Sequence, residues 1–171
     1  ATISSFSDRH AAWWFNGGFD ECYNVGKRGL EPAHEVLPLA LDWLDRKRET
    51  KDWFLHLHVW DPHIPYRTPE NYGKPFADDP LPDPWMTQEL LDHHRRTKPG
   101  GHCACEVTGY DNVPNPATPR QITEIKNLDD FKTMVDEYDT GVWYADQPLG
   151  KVFGKLKEQG IYEDTVIIIS S

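Results

Sequence analysis

A histidine that stands between two prolines is the strongest candidate for chemistry in this sequence. The stretch WFLHLHVWDPHIPYRTP, Trp53 to Pro69, is an apolar run that stops at a polar turn containing His63. Pro62 and Pro65 end the run, because proline donates no ladder hydrogen bond, and they restrict the backbone on both sides of His63. A histidine held in this way suits a catalyst, since a positioned imidazole can donate a proton or a hydrogen bond.

The residues before this histidine predict a strand, 54–60, that ends in a rigid loop. In open α/β sheets, ligands bind just beyond the carboxyl ends of the strands. Asp61, which could orient the loop or the imidazole, and Arg67, which could offer charge to an anionic substrate, therefore stand with His63 where chemistry is usually placed. The strand is rich in apolar side chains: Phe54, Leu55, Leu57 and Val59.

Two further histidines, His56 and His58, leave a second interpretation open. At alternate strand positions they share one face, so both could be packed, hydrogen-bonded strand residues. The alternative is a zinc-dependent hydrolase of a different fold, built on His56, His58, Asp61 and His63, because these side chains are a ligand-rich set. The spacing is not the H-x-H-x-D-H of metallo-β-lactamase-like enzymes, since two residues separate His58 from Asp61.

Several segments of the chain stand in an order that is typical of one enzyme family. Near the start, Gly18–Glu21 reads Gly-Phe-Asp-Glu. Asp61–Tyr66 then matches D-P-H-x-P-[YF], while Tyr138–Gly141 and Thr165–Ile168 match a segment that runs along a helix and up a core strand. With these matches the chain resembles the sulfatases and their relatives in the alkaline phosphatase superfamily, in which the D-P-H element supplies an active-site histidine. The resemblance spans most of the chain.

This resemblance implies a fold and a reaction. The fold would be α/β, an alkaline-phosphatase-like three-layer sandwich with a mostly parallel sheet, of which residues 1–171 form only a part. The enzyme would hydrolyse a sulfuric ester, or a phosphoric or phosphonic one, with a formylglycine nucleophile made from Cys or Ser in C/S-x-P-x-R. It would use a divalent cation, calcium or manganese. The substrate would be a small sulfate or phosphonate ester, a sulfated sugar among the candidates, and His63 would contact the transferred group or the leaving oxygen.

The nucleophile and the metal ligands that the family uses are not found in this sequence. No C/S-x-P-x-R motif occurs in the 171 residues. The family's downstream metal-binding pair typically follows a strand that ends in Ser, which is where the sequence stops, at Ser170-Ser171. Because the chain also begins with Ala1, we expect an internal piece of a longer enzyme. Alone, this piece is expected to bind no catalytic cation and to be inactive.

The first residues depart from the family's commonest pattern. A strand that ends in Ile normally leads into Gly-Lys-Trp-His, whose Lys and His contact the sulfate group. Aligned on Ile3, these two positions fall on Ser5 and Ser7, as in the phosphonate monoester hydrolase branch. Hydroxyls can donate hydrogen bonds to an oxyanion, although they bring no positive charge. Ser5 and Ser7 are therefore candidate substrate-binding residues, and a plain polar loop is the alternative.

Periodic apolar residues predict two helices that support this site. One runs from Pro32 to Leu44, and Pro38 should kink it or reset its start. The other occupies 127–159, where Asn127 can cap its start and Pro148 should bend or divide it. The β-branched run at 165–171 then predicts a central strand, parallel to the one that precedes the histidine loop.

A long stretch rich in proline and glycine, 70–126, separates the two expected core segments, 1–69 and 127–171. It is longer than an ordinary connection, and long ordered excursions are usually functional lids or oligomer contacts. We expect it to shape the substrate entrance, with one short helix at Thr87–Arg96. A homo-oligomer is one assembly it would allow.

Composition excludes some partners. The chain has 28 acidic and 18 basic residues and a formal charge of -10, which argues against nucleic acid. No apolar run approaches the roughly 20 residues of a membrane helix. Three cysteines provide no disulfide framework and leave the compartment unknown, leaning cytoplasmic.

Seven tryptophans leave a non-catalytic carbohydrate-binding module as a further alternative. The cluster Trp13–Phe15 is predicted to form core or wall rather than a sugar-stacking platform, because aromatic side chains supply large buried areas.

Overall fold

The computed structural model describes residues 1–63, 66–81, 86–97, 119–120, 122 and 125–170. The chain divides into two compact units, one made of Ala1–Trp60 with Tyr144–Ser171 and the other of Asp61–Trp143. In chain order the elements are β1 Thr2–Ile3, α1 Phe6–His10, a 3-10 turn Trp13–Asn16, β2 Cys22–Tyr23, α2 Ala33–Arg46, β3 His56–Leu57, a 3-10 turn Glu70–Tyr72, α3 Gln88–Thr97 and α4 Leu128–Glu158.

The three strands form a parallel sheet in the order β2-β1-β3. Helix α2 lies in the connection between β2 and β3, which is the strand-helix-strand order expected of an α/β fold. The predicted α/β class with a parallel sheet is therefore confirmed. The register pairs Thr2 with Cys22 and His56, and Ile3 with Tyr23 and Leu57.

Strand β3 is shorter than the predicted strand 54–60. Among the described residues it pairs with β1 alone, and β1 ends at Ile3 because the chain turns into helix α1 at Phe6. Single backbone bonds extend the pairing on both sides: the N–H of His56 donates to Ala1 O (3.0 Å) and that of His58 to Ile3 O (3.0 Å). A ladder can be no longer than its shorter partner, so β1 limits β3.

One face of α2 packs on the sheet and makes the core of the first unit. Both helices run continuously through their prolines, so Pro38 does not reset the start of α2 and Pro148 does not divide α4; the alternative prediction of a kink or bend stays a prediction. A proline inside a helix costs about 3 kcal/mol, and apolar residues packed on both sides of each proline offset that cost. The buried core residues are Ile3, Val36, Leu37, Ala40, Trp43, Leu44, Val152 and Leu156.

The apolar run after α4 is not a strand, contrary to the prediction for 165–171. Residues 165–170 pair with none of the three strands, and Val166 and Ile168 are 87% and 85% exposed; Ser171 lies outside the described residues. β-branched residues favour a pleated, half-buried surface, but that preference forms no ladder without a neighbouring strand. The predicted parallel pairing with 54–60 is therefore wrong for the described residues.

The second unit is built on α3 and the first half of α4. Asn127 Oδ1 accepts the Asp130 N–H at 2.9 Å, so the predicted cap of α4 is confirmed. Helix α3 matches the predicted helix Thr87–Arg96 to within one residue. Most of 98–126 lies outside the described residues, and the lid role stays a prediction. No helix in the described ranges is long and apolar enough to cross a membrane.

Candidate functional site

In the first unit, polar side chains join the carboxyl ends of β1 and β3. Thr2 Oγ1 lies 2.9 Å from His56 Nδ1, and Ser4 Oγ lies 3.0 Å from His58 Nδ1. These residues share one face of the sheet because side chains alternate along a strand. The two histidines are hydrogen-bonded as predicted, although only His56 lies within β3 and His58 directly follows it.

The zinc interpretation lacks a ligand set in the part of the chain that the structure describes. There, no three His, Cys, Asp or Glu side chains come together as a group that could hold a metal ion. The set His56, His58, Asp61 and His63 is not found as such a group. Burial lowers the pKa of His56, so this imidazole favours its neutral form. The described residues likewise do not fit a calcium or manganese site.

Ser5 lies in a buried network rather than at an open surface. Its side chain is 1% exposed, and its Oγ donates to the Glu31 carboxylate and accepts the Trp60 Nε1 proton at 2.6 Å. Glu31 is also buried and accepts the Gly29 N–H at 3.0 Å. The Ser5 hydroxyl, a candidate substrate-binding group, therefore makes its hydrogen bonds inside the protein. To donate to a ligand it would have to give up its hydrogen bond to Glu31.

Ser7 is also buried. Asn16 Nδ2 donates to Ser7 Oγ at 3.1 Å, and the Ser7 carbonyl accepts the Ala12 N–H at 2.9 Å. These bonds attach the 3-10 turn Trp13–Asn16 to helix α1. Ser5 and Ser7 thus share one short segment, and both hydroxyls have protein partners.

Aromatic rings and a close backbone approach surround Trp60. The rings of His58 and His10 lie 4.8 and 5.8 Å from it, and the Arg9 guanidinium lies 5.2 Å from its centroid. Gly29 has a φ of +82°, and a Cβ there would lie 2.9 Å from Trp60 Cε2. Any other residue at this position would require the Trp60 or Arg9 side chain to shift. Sequence reasoning missed Gly29 and the buried carboxylate of Glu31, since Gly29-Leu30-Glu31-Pro32 carries only turn signals.

The tryptophans of the 3-10 turn correct one half of the expectation that Trp13–Phe15 forms core or wall. Trp13 and Trp14 are 63% and 79% exposed, so they are not core residues. Phe15 faces inward instead, with its ring 4.8 Å from Phe6 and 5.5 Å from His56. A four-residue turn presents only part of its surface to the protein, and Phe15 occupies that part.

In the second unit, the predicted catalytic loop is held through its main chain. His63 is exposed, and Arg67 Nη1 donates to the His63 carbonyl at 2.6 Å. Asp61 is buried, and Ile64 and Pro65 lie outside the described residues. The structure therefore brings Asp61, His63 and Arg67 into one loop, with Arg67 bonded to the backbone of His63.

The loop continues into a buried tyrosine. Burial raises the pKa of Tyr66 to about 12, and the nearby charges of Glu137 and Tyr138 act in the same direction. The phenol therefore stays neutral across the physiological range.

Comparison with known proteins agrees with the motifs. The model of the family described as Sulfatase matches residues 6–171. Neither a curated protein nor a solved structure gives a significant match to the chain. The family match includes the D-P-H-x-P-Y element, the buried Ser7 and the whole of α4. The chain therefore belongs to the sulfatase family.

Proposed function

We propose that this chain is part of a hydrolase of sulfuric, phosphoric or phosphonic esters in which His63 takes a direct part in catalysis. The observation that carries the proposal is the exposed imidazole on a loop whose backbone is held at His63 O by Arg67. A fixed main chain with an accessible ring is what a general acid needs, because the proton must be presented in one geometry.

His63 donates a proton or a hydrogen bond to the leaving oxygen as negative charge develops there. Such proton transfer is typically worth about 10²- to 10⁴-fold in rate. Buried Asp61 orients the loop. Arg67 positions the backbone of His63 and keeps a positive charge beside it, which favours an anionic substrate.

The remaining parts of the proposed reaction come from outside these 171 residues. The sequence contains no C/S-x-P-x-R motif, so the formylglycine nucleophile belongs to another segment of the enzyme. We infer a divalent cation, calcium or manganese, from the resemblance to the family; the described residues include no group of three His, Cys, Asp or Glu side chains that could hold it. The proposed substrate is a small sulfate or phosphonate ester, a sulfated sugar among the candidates. Ser5 and Ser7 stand where the family usually has Lys and His, and this sequence difference supports the phosphonate branch.

His63→Ala tests the proposal in the complete enzyme. We expect kcat/KM to fall by at least about 10²-fold on an ester with a poor leaving group, with a nearly unchanged Tm because His63 is exposed. His93→Ala, which removes an exposed histidine of α3, is the matched control and should retain full activity. Near wild-type turnover of a folded His63→Ala enzyme would refute the role of His63.

A second candidate function is sugar binding, which the exposure of Trp13 and Trp14 favours. Two neighbouring exposed indoles offer flat apolar faces on which a sugar ring can stack. Isothermal titration against sulfated and unsulfated glycans, with Trp13→Ala and Trp14→Ala, tests it. Heat of binding that both substitutions abolish would support the module, and no binding by the wild type would exclude it for these glycans.

A further inference from the structure

One buried face of helix α4 lies against the loop that carries His63. Glu137, Thr140 and Gly141 are all buried, and their spacing of three and four residues places them on the same side of the helix. Gly141 and the loop residues 61–73 belong to the same unit. The proposed function assigns no role to this face of α4.

Gly141 contacts the residue directly before His63. A Cβ at Gly141 would lie 2.8 Å from Pro62 Cβ and 3.1 Å from Pro62 Cα, which is closer than side chains pack. Gly141 has ordinary helical backbone geometry, so its conformation does not require glycine. Glycine inside a helix costs about 1 kcal/mol relative to alanine. The close approach of Pro62 is thus the physical reason for a glycine at this position.

Glu137, one turn earlier, holds a buried arginine that binds the rest of the loop. Arg120 Nη1 donates to Glu137 Oε2 at 2.7 Å, and both side chains are 4% exposed. The pairing matters because an uncompensated buried charge is strongly destabilising. The other guanidinium N–H groups donate to loop carbonyls: Thr68 O (2.8 Å), Pro69 O (2.8 Å), Glu70 O (3.2 Å) and Gly73 O (2.7 Å).

His63 lies between these two attachments. Pro62 is held against Gly141 on one side. On the other, Arg67 donates to His63 O and is followed directly by Thr68, whose carbonyl accepts from Arg120. Both ends of the segment that carries the imidazole are therefore fixed to one helix face.

We propose that Gly141, Glu137 and Arg120 are positioning residues for His63, acting through Pro62 and through the carbonyls of 68–73. The inference rests on the proposed catalytic role of His63. A reacting group displaced by about 1 Å can lose about 10²-fold in rate, so the face can affect turnover without contacting substrate.

Gly141→Ala in the complete enzyme tests the proposal, with Gly150→Ala as the matched control. Both glycines lie in α4, but a Cβ at Gly150 meets nothing within 4 Å. Gly150→Ala should keep wild-type kinetics. Gly141→Ala should lower kcat at least about 10-fold, with a smaller change in KM and a larger loss on poorer leaving groups, because substrate binding is intact while proton donation is misplaced.

A readout independent of activity separates this proposal from the catalytic role of His63. With ¹³C-labelled histidine and His63→Gln to assign the signal, the His63 ring resonance should shift in Gly141→Ala and stay in place in Gly150→Ala. If His63→Ala proves active, the proposed function fails while the resonance still tests the positioning. An unshifted His63 resonance in Gly141→Ala would overturn the proposal, and so would kinetics equal to those of Gly150→Ala.

Arg120→Lys keeps the test decisive if Gly141→Ala does not fold. Lysine retains the charge opposite Glu137 but cannot donate to several carbonyls in a fixed fork. We expect a folded enzyme with a shifted His63 resonance and a kcat lowered by at least about 3-fold. This loss is smaller than the one expected for Gly141→Ala, because the lysine still holds part of the loop and His63 is displaced less. Wild-type values of both would contradict a positioning role for Arg120.

Discussion

Ser4 Oγ lies 3.0 Å from His58 Nδ1, and each residue directly follows one of two neighbouring parallel strands. The Thr2–His56 pair repeats this contact two residues earlier. The polar face of the sheet is therefore joined by side chains where an α/β protein usually binds its ligand. The two histidines contribute to the structure of that edge.

We predict that His56 titrates below its ordinary pKa of 6.5, because burial disfavours the imidazolium. Histidine NMR titration measures this directly. Thr2→Val removes the hydrogen bond but not the burial, and should leave the pKa low. A return to 6.5 in Thr2→Val would assign the shift to the hydrogen bond instead.

The same pKa predicts a dependence of stability on pH. Since the folded pKa of His56 is lowered, the unfolded state binds more protons, and stability is lost as pH falls below about 6.5 toward the folded pKa. Denaturant unfolding at pH 7.5 and 5.5 should show a smaller loss for His56→Gln than for the wild type.

Gly29→Ala should destabilise the first unit more than Gly26→Ala does. Both glycines have positive φ, +82° and +83°, so the backbone strain of alanine is matched. Only at Gly29 does a Cβ collide, at 2.6 Å from Arg9 Cδ and 2.9 Å from Trp60 Cε2. Overpacking typically costs about 1–3 kcal/mol, and thermal unfolding of the two variants measures the difference. Equal Tm values would mean that the Trp60 and Arg9 side chains shift at little cost to make room for the added Cβ.

Ser5→Ala should lower the free energy of unfolding by about 1–3 kcal/mol, because it removes one hydrogen bond from buried Glu31 and one from the Trp60 indole N–H. Ser170→Ala, at an exposed position, should change it by less than about 0.5 kcal/mol. Denaturant unfolding measures both. An unchanged free energy of unfolding in Ser5→Ala would show that the Ser5 hydroxyl does not contribute to stability.

Truncation of a buried and of an exposed tryptophan should change the free energy of unfolding by very different amounts. Trp43 is 1% exposed in the core, so Trp43→Ala should cost about 3–5 kcal/mol. Trp14 is largely exposed, and Trp14→Ala should stay within about 0.5 kcal/mol of the wild type. A large loss of stability in Trp14→Ala would indicate that this indole is covered in solution.

Much of this structure was predictable from local sequence. The periodicity and the Asn127 cap located α4, and strand alternation placed His56 and His58 on one face, because these features depend on residues a few positions apart. The D-P-H-x-P-Y element and its companions indicated the family that the match over 6–171 confirmed.

Only the tertiary structure decided the rest, because the contacts concerned join residues distant in sequence. The run 165–170 has strand propensity but no partner, and a strand exists only in a ladder. Ser5 became a buried bridge through Glu31 and Trp60, which are 26 and 55 residues away. Arg120 reached loop carbonyls about fifty positions earlier, with separations of 52 for Thr68 and 47 for Gly73. No local sequence pattern predicts such long-range contacts, because tertiary packing determines which side chains are buried and which charges are paired.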